Sequence, residues 1–438
     1  MAFTPVFGTG FEYGNVPTYS GRFVSSGSVS SGNAHTGTYA LGVNTPLGAQ
    51  YFQYTLESGL SDFALGLWMK KSSFNAGYWE LRCYTEDNHT FAFRNNGSTT
   101  YDLYIDGVLK ASGLQTANLA AYHNIQAWIS ISDSGFVKMR LDGNDSINLS
   151  MDTKFDAGTS GINRVQFYFA SGSLLHYFDD FVVGTGGWSG DVRFDALLPI
   201  SDSAEQDWYK TGLSLQNPPA TPTVAAGDAP GLTGDYRYKI TFVDADGETL
   251  AGTASALVQP SNQSVDLSNI PVGEDGTTAR KIYRTAAGGA VFKLVDTIGD
   301  NTTTTYNDTV ADESLGANEP SNSPHYTEID ERPASTADYL RSATDGDQDI
   351  CGLSNWDATN KQPIMTTHWL YCIKGTADTQ AVKFIDRVGA HERVSETKYP
   401  LTSACHIYQV NTTQPDGVSA WTDEALDDLE AGVELEIE

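Results

Sequence analysis

Cysteine is scarce. The 438 residues hold four, Cys83, Cys351, Cys372 and Cys405, and no two are close-spaced. That argues against a disulfide framework and points to reduced, buried thiols. Basic residues are also few: 26 Lys plus Arg against 55 Asp plus Glu, a net charge of −29. So acidic a surface repels phosphate backbones and anionic lipid heads, which removes nucleic acid and membrane surfaces as expected partners. No apolar run reaches the ~18 residues that a membrane helix needs, so no membrane insertion is expected. The opening Met1-Ala2-Phe3-Thr4-Pro5 has neither the basic start nor the apolar stretch of a secretory signal. Synthesis in a cytoplasm is therefore expected. Also missing are the Gly-x-Ser-x-Gly elbow, the phosphate loop and the dinucleotide fingerprint.

What is present is short strands punctuated by Gly, Ser and Asn. Tyr101 to Ile105 runs into Asp106-Gly107, and Val137 to Leu141 ends at Asp142-Gly143. Both runs alternate apolar and polar side chains, and Asp-Gly supplies the positive backbone angles of a tight hairpin. Further strands are expected at 63–69, 79–84, 125–131, 165–169 and 178–183. Many even strands without a long amphipathic helix give an all-β chain that begins with a sandwich or jelly roll. Prolines at 218, 219, 222 and 320 bracket a second set of about seven strands, the size of one more sandwich. The expected domains are 1–185, a lectin-like jelly roll; 186–217, a connector; 218–320, an inserted sandwich; and 321–438, a β-rich assembly domain. Near the end, Thr422 is set to cap a short acidic helix carrying Leu426 and Leu429. Gly432 is expected to stop that helix, and 433–438 alternates like an edge strand that a second subunit could join.

Three resemblances follow from these motifs. Gly37-Thr38-Tyr39-Ala40-Leu41, Phe63 to Met69, His123-Asn124-Ile125, Asp142-Gly143 and Tyr177 to Val183 together resemble laminin-G/concanavalin A-like jelly rolls. Residues 218–320 resemble an immunoglobulin or fibronectin type III sandwich. Gly190-Asp191-Val192-Arg193 leads to Leu197-Leu198-Pro199, Asp202 and Trp208. Asp330-Glu331-Arg332-Pro333, Thr344-Asp345-Gly346 and Trp421-Thr422 with Leu426, Leu429 and Gly432 follow. With Thr9-Gly10-Phe11-Glu12, this order resembles a family of tailed-bacteriophage virion proteins. The resemblance implies a non-enzymatic virion structural protein, a tail appendage or fibre component assembled in the host bacterial cytoplasm. Its implied partners are other virion proteins, further copies of itself as a trimer, and a cell-surface glycan. A capsid decoration protein is the alternative within that class. A carbohydrate-active enzyme or a secreted lectin is the alternative from another class.

The candidate chemistry is sparse. Glucanases of the concanavalin type place two carboxylates on one strand face. Glu328-Ile329-Asp330-Glu331 has Arg332 where the second acid should fall, and it lies outside the jelly roll, so no catalytic residue is assigned. Asp345, Asp347 and Asp349 alternate like a calcium loop, although Ile350 and Trp356 stand where an EF-hand needs Gly and Glu. They are the candidate calcium ligands; no other cofactor is expected. Asp179 and Asp180 after His176 are a second candidate ion site at the jelly-roll rim. Cys351, His368, Cys372, Cys405 and His406 are zinc-type ligands without zinc-type spacing.

Overall fold

The computed structural model describes residues 3–11, 23–25, 27–35, 39–44, 50–71, 78–95, 100–114, 121–155, 160–170, 175–194, 196–329, 339–356, 363–374, 379–401 and 405–437. The chain divides into two compact units. One holds residues 1–200, 330–335 and 352–438; the other holds 201–329 and 336–351.

The first unit opens with fifteen strands. They are β1 (Thr4–Thr9), β2 (Phe23–Ser25), β3 (Ser28–Ser31), β4 (Tyr39–Asn44), β5 (Gln50–Leu60), β6 (Asp62–Lys71), β7 (Tyr78–Thr85) and β8 (Thr90–Asn95). Then come β9 (Thr100–Ile105), β10 (Val108–Leu114), β11 (His123–Ser130), β12 (Gly135–Leu141), β13 (Asn144–Met151), β14 (Ile162–Ala170) and β15 (Leu175–Thr185). One sheet has eight strands in the order β13-β12-β11-β6-β15-β4-β3, with β1 also on β15; the other has seven, β10-β9-β8-β7-β14-β5-β2. This is the expected jelly-roll sandwich.

Alternation decides which side chains meet between the sheets. On β7, Leu81 and Cys83 point inward, and Phe91, Phe93, Phe167, Phe63 and Phe178 join them in one buried cluster. Phe52 stacks on Phe167 with centroids 4.8 Å apart and meets Phe178 edge-on at 4.8 Å. Each ring buried in this way contributes about 1.5–3 kcal/mol. The two Asp-Gly hairpins form as expected, with φ of +48° and +78° at Asp106 and Gly107 and +50° and +77° at Asp142 and Gly143. Each aspartate also clamps the strand before it. Asp106 takes the Thr90 N–H at 2.9 Å and faces His89 Nδ1 at 2.9 Å, and Asp142 takes the Asn124 N–H at 2.9 Å and faces His123 Nδ1.

Residues 186–194 cross the outer face of the eight-stranded sheet. The Gly190 N–H donates to Gln126 at 3.1 Å, Trp68 Nε1 donates to Asp191 at 3.1 Å, and Trp188 packs edge-on against Trp128 at 5.7 Å. Gly66 leaves the room this crossing needs, because a Cβ there would collide with Ser189. The part of that face over β6 and β11 is therefore crossed by the protein's own chain. The rest of the first unit includes Gln380–Val388, paired antiparallel with Leu429–Ile437. Thr422 caps the helix Asp423–Asp427 through the Ala425 N–H at 3.2 Å, and Trp421, Leu426 and Leu429 pack with Leu197 and Trp356. Contrary to the expectation from sequence, Gly432 does not stop the helix. It lies inside the last strand opposite Ile385, because pairing along the whole strand outweighs a local glycine break.

The second unit is a smaller sandwich. Thr223–Ala226, Val265–Ser268 and Tyr306–Asp308 form one three-stranded sheet, and Tyr238–Val243, Ala279–Thr285 and Phe292–Ile298 form another. Tyr238, Ile240, Val265, Leu267 and Ile282 share its core. Arg284 is fully buried there against Asp308 at 2.6 Å, and Tyr238 donates to the same carboxylate at 2.8 Å.

Candidate functional site

The side chains that β7, β8, β9, β14 and β5 turn away from the core form polar rows across the seven-stranded sheet. Strand register places Asp102, Arg94, Glu80 and Tyr168 in one row. Tyr104, Ala92, Arg82, Gln166 and Gln53 form the next, and Tyr84, Arg164 and Thr55 a third. The described members are bonded chiefly to one another. Tyr84 Oη donates to Gln166 at 3.1 Å, Gln166 Nε2 to Gln53 at 3.4 Å, and Gln53 Nε2 to Thr55 at 3.3 Å.

At the centre sits Glu80, only 2% exposed although it points outward. Arg82 Nε and Nη2 both lie 2.5 Å from its Oε2, and Arg94 Nε and Nη2 lie 2.5 Å from its Oε1. One carboxylate thus fixes two guanidiniums side by side. Burial alone would lower the arginines' pKa, but the hydrogen bonds and charge of Glu80 outweigh it and hold both above their usual value. Both therefore stay cationic. Aromatic rings complete the clamp: Arg82 lies over Tyr168 at 3.7 Å, and Arg94 lies over Tyr104 at 4.2 Å and Tyr78 at 4.5 Å. Arg164 lies over Tyr84 at 4.0 Å. Each contact of this kind adds about 0.5–2 kcal/mol. The side chains of Arg82 and Arg94 remain 24% and 30% exposed. Each meets Glu80 along its Nε–Nη2 edge, so its Nη1 edge faces outward without a protein acceptor among the described residues.

The residues singled out from sequence lie elsewhere. Asp179 and Asp180 are buried in β15, at a bulge where Asp180 has φ +49°. Their oxygens already have protein partners: Asp179 takes the N–H groups of His35 at 2.7 Å and Asp180 at 2.9 Å. Asp180 takes the Phe194 N–H at 2.8 Å and faces His35 Nδ1 at 3.0 Å. The pair anchors the crossing segment to the sheet. Of Asp345, Asp347 and Asp349, the last two have separate partners. Asp347 accepts from Ser342 Oγ at 2.5 Å, while Asp349 is buried against His325 Nδ1 at 2.5 Å. Burial raises the Asp349 pKa even though His325 works against it.

Glu328 lies in a short 3-10 turn, Tyr326–Glu328, rather than on a strand, and pairs with Lys210 at 3.2 Å. Asp330, Glu331 and Arg332 lie outside the described residues. Cys351 is buried beside Asp349, and burial holds the His368 imidazole below its usual pKa. Cys372 sits opposite Cys405 in the pairing of Thr366–Cys372 with Cys405–Asn411. The side chains of Cys405 and His406 are outside the described set. Among the described residues no three His, Cys, Asp or Glu side chains gather as metal ligands.

The polar rows escaped the sequence reading because it followed the apolar half of each alternation. The other half was readable: Tyr78-x-Glu80-x-Arg82-x-Tyr84 and Arg164-x-Gln166-x-Tyr168 each set charge and phenol on one strand face.

No protein-family model and no curated protein matches this chain. Solved structures do. An endo-β-1,4-glucuronan lyase from the fungus Trichoderma reesei is 15% identical, aligned over 42% of this chain and 96% of that one, with a TM-score of 0.32. The alginate lyase Aly36B is 12% identical over 42% of this chain and 97% of that one, TM-score 0.33. A protein with a galectin-like fold from Bacillus subtilis is 11% identical over 44% of this chain and 100% of that one, TM-score 0.32. Among these neighbours the expectation of a non-enzymatic virion structural protein finds no counterpart. The two lyases are carbohydrate-active enzymes, the class held as the alternative. The sequence reading searched for the two carboxylates of hydrolysis and left the arginine–tyrosine face unconsidered.

Proposed function

We propose that the jelly roll is a carbohydrate-active module whose working surface is the outer face of the seven-stranded sheet. The observation that carries the reading is the Arg82–Glu80–Arg94 clamp set among Tyr168, Tyr104, Tyr84 and Gln166. A glycan laid across the strands meets one strand per sugar, because a pyranose ring is about as long as the ~4.8 Å strand spacing. Amides, phenols and guanidiniums then offer several hydrogen bonds to each sugar. The opposite sheet is crossed at β6 and β11 by residues 186–194, which favours this face over that one.

Two-carboxylate hydrolysis does not suit the centre, since both oxygens of Glu80 are already held by arginines. A phenol beside fixed guanidiniums suits proton transfer next to a developing negative charge. Tyr168 is the candidate proton-transfer group and Arg82 and Arg94 the charge-stabilising pair. The segment order that resembles tailed-phage virion proteins concerns where such a module is carried. As a proposal that setting is tested by mass spectrometry of purified particles.

The test of the activity is incubation of the intact protein with a panel of neutral and acidic polysaccharides, followed by viscosity and product mass. Chain shortening by wild type that falls at least ~100-fold in Tyr168→Phe supports the reading. Neither binding nor shortening across the panel, or full activity in Tyr168→Phe, overturns it.

A further inference from the structure

The face proposed as the glycan surface also constrains the ligand's charge. We infer that its ligand is an anionic glycan, a chain of uronate sugars whose carboxylates dock on the outward edges of Arg82 and Arg94. This inference rests on the reading of that face as the glycan site. Three observations carry it.

The first is charge. In a chain of net charge −29, the rows carry Arg82, Arg94 and Arg164 against the carboxylates Glu80 and Asp102 alone, and Glu80 is buried beneath its partners. A neutral glycan gives no reason to fix positive charge at the surface of so acidic a protein. The second is geometry. A guanidinium bound along its Nε–Nη2 edge keeps a second planar edge, and that edge matches a carboxylate with two parallel hydrogen bonds. Glu80 fixes both guanidiniums before any ligand arrives, so little ordering remains to oppose binding. The third is a further cation: Arg164 lies over Tyr84 in the next row, and its Nη2 meets Asn88 at 3.3 Å with no carboxylate partner among the described residues. It extends the positive track beyond one sugar.

The test is calorimetric titration of the intact protein with 1,4-linked oligouronates and with neutral 1,4-linked gluco-oligosaccharides of the same length. Oligouronates should bind at least about tenfold more tightly at low salt, and the advantage should shrink as ionic strength rises. Arg82→Lys keeps the charge facing Glu80 but loses the planar edge. It should weaken oligouronate binding about tenfold with the fold retained by circular dichroism, and Arg94→Lys should do the same. If neutral and acidic oligomers bind alike, the anionic inference is overturned while the glycan site stands. Oligouronate binding that ignores both lysine variants also overturns it. If neither class binds, the site itself is refuted, and the inference goes with it.

Discussion

Replacing Glu80 with glutamine tests whether one buried carboxylate organises the polar face. The change keeps the shape and removes the charge. Glu80 takes Nε and Nη2 of both Arg82 and Arg94, at 2.5 Å in each case. Hydrogen bonds to a charged group contribute about 1.5–3 kcal/mol each. The amide oxygen of glutamine can still serve one arginine, but its NH2 turns a donor toward the other. Two cations then sit side by side with no anion between them. The arginines are 24% and 30% exposed, so water relieves part of the penalty. The net cost should be about 2 kcal/mol, or a fall of about 4–8 °C in the melting temperature. The assay is thermal unfolding followed by near-ultraviolet circular dichroism, which reports the tyrosines stacked on these arginines. A double-mutant cycle with Arg82→Gln should show coupling of at least ~1 kcal/mol, because the second change removes one of the stranded cations. A melting temperature within a degree of wild type, together with additive single changes, would refute the clamp.

Three further outcomes follow from the fold. Gly143→Ala places a Cβ at φ +77° in open space, so strain alone should cost about 1 kcal/mol, read by denaturant titration. Asp308→Ala leaves the fully buried Arg284 with only the partly exposed Asp312 as a counter-charge. It should destabilise the second unit by about 3–5 kcal/mol, seen as early melting of its strands in hydrogen exchange. Asp416 is held down to about 2 by the Ser419 hydroxyl and the N–H groups of Val418 and Ser419. A carboxyl lowered on folding stabilises above its unfolded pKa and loses that contribution as pH falls through the folded one. Protection of the Val418 and Ser419 amides should therefore persist at pH 3 and disappear near pH 2, which an NMR titration checks.

The fold was largely readable because hairpins and core alternation are local signals. Asp106-Gly107 and Asp142-Gly143 need left-handed backbone that few residue pairs adopt, and both turns formed. The inward Val165 and Phe167 of β14 marked that strand equally well, whereas β8 was not expected from sequence. The site was less legible because it depends on register between strands distant in sequence. Nothing local to Glu80 says that Arg94 lies opposite it across β8, or that Tyr168 flanks it from β14. Acidic residues misled in the other direction. Asp179 and Asp180 have the adjacency of an ion site, yet their partners are backbone amides and a histidine supplied from far along the chain. Adjacent carboxylates report a need for acceptors and do not reveal which donors arrive.

The central claim is that glycans engage the outer face of the seven-stranded sheet, and a hydrogen-exchange footprint with bound oligouronate tests it most directly. Protection should rise in Tyr78–Thr85, Thr90–Asn95, Thr100–Ile105 and Ile162–Ala170, and remain unchanged in β11 and β12 and throughout the second unit. Protection confined to the second unit or to the eight-stranded sheet, or none at saturating ligand, would contradict the account.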